Sequence, residues 1–175
     1  MKVDGQHYRT IWIDDNNGDV QIIDQRKLPH FFEIESVNTM QEMAVAIKDM
    51  HVRGAGLVGA SAGCGMYLAA REAPEGATLD EFAAHMNAAA ETLQATRPTA
   101  ANLEWAVKRL LACLEKATTV AEKQAAAREE AQAIMDDDAQ WCELIGKHGV
   151  SLIEEIAAKK APGERVNLLT HCNAG

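Results

Sequence analysis

The chain has 175 residues, 47% of them hydrophobic and 25% charged, the balance of a soluble globular protein with one ordinary core or one domain and the start of another. Its 17 Lys and Arg face 26 Asp and Glu, a net charge of −9 that argues against a nucleic-acid-binding surface but leaves room for a small anion held by one or two arginines. No stretch reaches the roughly 18 apolar residues of a membrane span, and the first seven residues lack a signal-peptide core, so no membrane partner and a cytoplasmic setting are expected.

In chain order, residues 1–36 read as a β-rich segment. Tyr8 to Ile13 is strand-like, Asp15-Asn16-Asn17-Gly18-Asp19 is turn chemistry, and Val20 to Ile23 completes a hairpin; residues 31–34 form a third short strand. Residues 37–163 read as helical. Thr39 with Glu42 is a capping box before Met43, Val45, Ala46, Ile47 and Met50. A glycine- and alanine-rich helix spans 54–71, its small residues suited to tight packing. After the Pro74-Glu75-Gly76 turn, Thr78 with Glu81 caps a helix whose inner face is Leu79, Phe82, Met86, Ala89 and Leu93.

Pro98 is placed at the first position of the next helix, which runs through Leu103, Val107, Leu110, Leu111 and Leu114. A long helix starts near Thr119, with Glu122 three residues on and Ile134, Trp141, Ile145 and Leu152 at helical spacing. Its Asp136-Asp137-Asp138 run is read as a solvated face rather than a metal site, because consecutive positions point in different directions around a helix. Cys64, Cys113 and Cys142 fall inside helical patterns, have no CxxC spacing, and read as reduced core thiols. Ala161-Pro162-Gly163-Glu164 ends the helix. Residues 164–175 then read as a buried strand, Val166-Asn167-Leu168-Leu169, opening into a loop; the helix expected to follow is absent, so the chain reads as one half, or a cut fragment, of a larger protein.

Three places carry chemistry. Arg53 precedes Gly54-Ala55-Gly56-Leu57-Val58-Gly59, where Gly54, Gly56 and Gly59 match GxGxxG. A dinucleotide site is rejected, because that fingerprint needs a strand immediately before it and Ala44 to Met50 have helical spacing. Arg97, in Thr96-Arg97-Pro98-Thr99, again stands before a helix start. A cation there is unfavourable by roughly 0.3–1 kcal/mol. Two such arginines make sense if an anion sits between them, accepting from backbone N–H groups and pairing with the guanidinium groups. Cys172 stands at a strand end beside His171 and Asn173, where a thiol can act as nucleophile or as acid/base, or can be a buried structural cysteine.

The segments Arg53-Gly54-Ala55, Thr96-Arg97-Pro98-Thr99-Ala100-Ala101-Asn102-Leu103-Glu104-Trp105 and Leu169-Thr170-His171-Cys172-Asn173-Ala174-Gly175, in this order, resemble the methylthioribose-1-phosphate isomerases. The resemblance covers nearly the whole chain but only the N-terminal half of that family's length. It implies an α/β protein: an α+β N-terminal domain of short strands and a helical bundle, leading into the first strand of a Rossmann-like domain, in a homodimer. It implies an aldose–ketose isomerase of methionine salvage that needs no metal or cofactor, inactive until joined by the C-terminal half of the same protein. By the same resemblance Arg53, Gly54, Ala55 and Arg97 bind a sugar phosphate, and Cys172 is catalytic, paired with an aspartate further along. One departure is local: Gly56-Leu57-Val58 replaces the family's usual proline-containing run, a form resembling the branch linked to 5-deoxyribose 1-phosphate. The alternative is a non-catalytic module like the regulatory subunits of the translation-initiation nucleotide-exchange factor, which share the architecture and would need neither Arg97 nor Cys172.

Overall fold

The computed structural model describes residues 2–171. It opens with a hairpin that the reading above did not contain: β1 (Lys2–Val3) pairs antiparallel with β2 (Gln6–His7). Asp4 and Gly5 between them have φ of 50° and 82°, the left-handed pair that a tight two-residue hairpin requires. A three-stranded antiparallel sheet follows, β3 (Ile11–Ile13), β4 (Val20–Ile23) and β5 (Ile34–Val37), in that spatial order. Ile11 stands opposite Ile22, and Val20 opposite Val37.

The hairpin at 11–23 matches expectation, with shifted edges around it. The first strand begins at Ile11 rather than Tyr8, because the ladder ends where Ile23 N–H donates to Thr10 C=O. The third strand occupies 34–37, not 31–34. Beyond Ile23 the chain turns, Asp24 N–H donates to Glu33 C=O, and Phe31 is left 65% exposed.

Five helices follow among the described residues: α1 (Met40–Lys48), α2 (Ala55–Arg71), α3 (Leu79–Thr96), α4 (Ala101–Leu114) and α5 (Val120–Ala157). α2 is the axis of the bundle, buried at every position from Leu57 to Ala70, and the other four helices pack around it. Its small residues permit that approach: a Cβ on Gly65 would lie 2.9 Å from the Leu93 side chain. Met43, Ile47, Phe82, Met86, Leu93, Leu103, Leu110 and Ile134 fill the core around it, and Val20, Ile22 and Val37 join the sheet to the same cluster. No helix among the described residues is long and apolar enough to cross a membrane.

Several expected inner-face residues lie outside. Leu79 is half-exposed because it is the first residue of α3, a turn before the packed face begins. Buried positions of α5 end at Met135; Trp141, Ile145, Leu152 and Ile156 are exposed, and so is Cys142, which is therefore not a core thiol. Cys113 is half-buried, and only Cys64 of the three sits in the core, where burial pushes its thiol up to about 12. Residues 165–171 have no strand pairing, and Leu168 and Leu169 are exposed. An apolar run becomes a strand only when neighbouring strands take its hydrogen bonds, and none lies beside it among the described residues. The Asp136–Asp138 run is not merely solvated: Asp136 pairs with Arg9, and Asp137 with Arg109 at 2.6 Å.

Candidate functional site

Helix starts divide into two kinds. Thr39, Thr78 and Thr119 cap α1, α3 and α5, each accepting from a glutamate N–H three residues on while that glutamate reaches back, the reciprocal boxes read from sequence. α2 and α4 have no such device: their N-cap residues are Gly54 and Ala100, neither with a side-chain hydrogen bond to the helix. Ala100 forgoes about 1 kcal/mol of capping and Gly54 only about a few tenths, and each helix leaves its first N–H groups without an intrahelical partner.

Those two uncapped ends meet. A Cβ on Gly59 would stand 3.0 Å from the backbone oxygen of Asn102, so α2 and α4 cross with little between them and their N-termini open onto one cavity of about 460 Å³. Arg53, Gly54 and Ala55 line one wall; Arg97, Ala100 and Asn102 line the other. Arg97 also borders a second hollow of about 380 Å³ with Pro98 and Glu104. The four residues assigned to substrate by resemblance thus come together across some 45 positions of sequence.

Both arginines stand at the cavity uncommitted. Arg9, Arg26, Arg71, Arg109 and Arg128 each hold an ion pair, whereas Arg53 and Arg97, like Arg165 away from the cavity, hold none among the described residues. Gly54 has φ of 102°, a conformation L side chains rarely adopt, so the turn that delivers Arg53 to the helix end favours glycine. Arg97 caps the C-terminus of α3 in an extended conformation, φ −146°, as residues before proline prefer. Pro98 is therefore in the connection and not the first helical residue; Ala100 N–H donates to Arg97 C=O at 3.0 Å, and α4 starts at Ala101.

Each glycine of the GxGxxG match has its own role. Gly54 shapes the turn, Gly59 admits α4, and Gly56 faces α5, where a Cβ would fall 1.8 Å from Asp138 Oδ1. The preceding element is helix α1, not a strand, so the setting of a dinucleotide fingerprint is absent. Asp138 went unnoticed as part of this neighbourhood. Its carboxyl lies against the first turn of α2, half-buried, and burial pushes its pKa up. Nothing local in the sequence signals this, since the two positions meet only through antiparallel packing of α2 on α5. Cys172 lies outside the described residues.

A mixed α/β domain with small sheets and a helical bundle, presenting two bare helix ends and two free guanidinium groups to one cavity, is the class that fold and site define. Within it the chain belongs to the initiation factor 2 subunit family, whose model matches residues 51–175. It is 48% identical over its full length to a methylthioribose-1-phosphate isomerase of Methylocella silvestris and 46% identical to one of Methylorubrum extorquens. The chain covers 46% and 45% of those proteins, so it spans about half the length of the curated relatives it matches. Among solved structures, 5-methylthioribose 1-phosphate isomerase from Pyrococcus horikoshii OT3 matches with a TM-score of 0.68 and 37% identity, over 74% of this chain and 36% of that one. The delta subunit of translation initiation factor eIF-2B from A. fulgidus matches with a TM-score of 0.70 and 38% identity, over 76% of this chain and 38% of that one.

Proposed function

We propose that this chain is the N-terminal half of an aldose–ketose isomerase that converts 5-methylthioribose 1-phosphate, or 5-deoxyribose 1-phosphate, to the ketose 1-phosphate. The observation that carries the reading is the pairing of two uncapped helix N-termini with two uncommitted arginines at one cavity, while every other helix start among the described residues has its capping box. A phosphate dianion supplies what both ends lack. It accepts from the N–H groups at the starts of α2 and α4 and pairs with Arg53 and Arg97, satisfying groups that a neutral ligand would leave bare. The isomerase names of relatives at 42–48% identity support the same substrate class.

In this reading the furanose ring opens at C1 and hydrogen moves from C2 to C1, giving a ketose that keeps its phosphate. The clamp holds the phosphate on C1 and so fixes the reacting carbons. Cys172 moves a proton at C1 or C2, with a carboxylate from the downstream half as its partner. That half is a Rossmann-like domain, and the apolar residues α5 exposes from Trp141 to Ile156 are suited to seating it. The assembled protein works as a cytoplasmic homodimer.

The test uses the full-length protein. Turnover of 5-methylthioribose 1-phosphate, lost on Cys172→Ser with phosphate binding retained, is the expected result; full activity in Cys172→Ser refutes the role of the thiol. A non-catalytic binding module is the second reading, favoured by the likeness to the eIF-2B delta subunit. Absence both of turnover and of pentose 1-phosphate binding would decide for it.

A further inference from the structure

Arg53 belongs to a loop with a built anchor. His51 is 7% exposed, one of three buried polar or charged residues among those described. Its Nδ1 lies 2.7 Å from Glu35 Oε2 on β5. Its backbone is held on both sides: the N–H donates to Ala46 C=O at 2.9 Å, and the C=O accepts from Gln25 N–H at 2.8 Å. Met50, just before it, adopts a left-handed φ of 60°, costly for a non-glycine residue and held only where the surroundings fix it. Val52, just after, is fully buried. The chain is thus pinned at 51 and 52, between Met50 and Arg53, which both line the cavity.

His51 is buried but its partner Glu35 is 36% exposed, and a pair open to solvent on one side contributes only about 0–1 kcal/mol, so stability does not account for it. What the pair does is join the loop to the sheet. Glu35 stands opposite Ile22 in the β4–β5 ladder, and Gln25 follows β4, so the sheet grips His51 by side chain and backbone. The small sheet is thereby tied to the placement of one guanidinium group.

We propose that His51, through Glu35, is a positioning residue that sets Arg53 and the start of α2 for the anion. The inference rests on the anion-site reading above. Arg53 is two residues from the pin, and the chain spans at most about 3.5 Å per residue, so slackening His51 moves the guanidinium on the ångström scale. Displacements of that size cost up to about a hundredfold in positioned chemistry.

The experiment compares wild type, His51→Ala, His51→Asn, Glu35→Leu and Arg97→Ala in the full-length protein. It reads Kd for inorganic phosphate, and KM and kcat for 5-methylthioribose 1-phosphate. His51→Ala is expected to raise Kd and KM on the order of tenfold with kcat little changed. His51→Asn, whose amide can occupy the place of Nδ1, should recover most of that loss. A lowered melting temperature with wild-type Kd and KM would mean a structural role only and overturn the inference. If His51→Ala does not fold, Glu35→Leu decides, since it removes the hydrogen-bonding group at similar volume: weaker phosphate binding supports the inference and unchanged binding overturns it. Arg97→Ala separates the two readings. If it weakens phosphate binding while the His51 and Glu35 variants do not, positioning fails and the anion site stands; if it too binds as wild type, the anion-site reading fails and takes the inference with it.

Discussion

Replacing Gly56 with alanine tests the contact between α5 and the start of α2. Gly56 is inside α2, where alanine is the better helix former by about 0.5–1 kcal/mol. The added methyl would fall 1.8 Å from Asp138 Oδ1 and 2.7 Å from its Cγ, so the whole carboxyl group must leave. Overpacking of this kind costs about 1–3 kcal/mol. Gly56→Ala is therefore expected to be neutral to about 2.5 kcal/mol destabilising alone, and to become stabilising by about 0.5–1 kcal/mol in an Asp138→Ala background. The coupling energy from the double-mutant cycle should be about 1–3 kcal/mol. Urea unfolding can be followed by tryptophan fluorescence, since Trp105 on α4 and Trp141 on α5 have ring centroids 5.7 Å apart. Equal effects of Gly56→Ala in both backgrounds would refute the packing described here.

Three other expectations are independent of that contact. Gly59→Ala should destabilise by about 1–2 kcal/mol through overpacking, because its Cβ would press on Asn102 backbone, which cannot swing aside; an unchanged unfolding midpoint would contradict the close α2–α4 crossing. Cys142, exposed, should be alkylated rapidly in the native protein, whereas Cys64, buried and pushed up to about 12, should react only on unfolding; peptide mass mapping after brief iodoacetamide treatment reads both. Arg26, bonded to Asp24 at 2.7 and 2.9 Å, holds that carboxyl at about 2 against 3.8. With its pKa depressed on folding, Asp24 adds stability fully present above about pH 4 and lost as pH falls towards 2. Asp24→Asn should flatten the stability profile in that window, and an unaltered profile would show that the pair contributes nothing.

What could be read from the residues was what is decided locally. Thr39 with Glu42, Thr78 with Glu81, and Thr119 with Glu122 specify helix starts within four positions, and all three form. Asp4-Gly5 carried an equally local signal and went unread because its strands are only two residues long. Pro98 was misplaced by three residues: its preference for the first helical turn competes with the extended conformation it imposes on Arg97, and the latter prevails. Periodicity marked Trp141, Ile145 and Leu152 as one helix face but could not say whether anything covers it, and among the described residues nothing buries them. The two arginines were visible as cations ahead of helices. Their convergence on one anion was expected; the contact that brings it about, Gly59 meeting Asn102, was not, because it is made by packing. Asp138 and His51 were missed for the same reason: their partners, Gly56 and Glu35, are brought near by the fold.

Calorimetric titration of the full-length protein with 5-methylthioribose 1-phosphate tests the clamp at the α2 and α4 N-termini most directly. Arg53→Ala and Arg97→Ala should each weaken binding by about 10- to 150-fold, the equivalent of about 1.5–3 kcal/mol for a hydrogen bond to a charged group, and the double variant should show no measurable heat. Wild-type affinity in both single variants would contradict it.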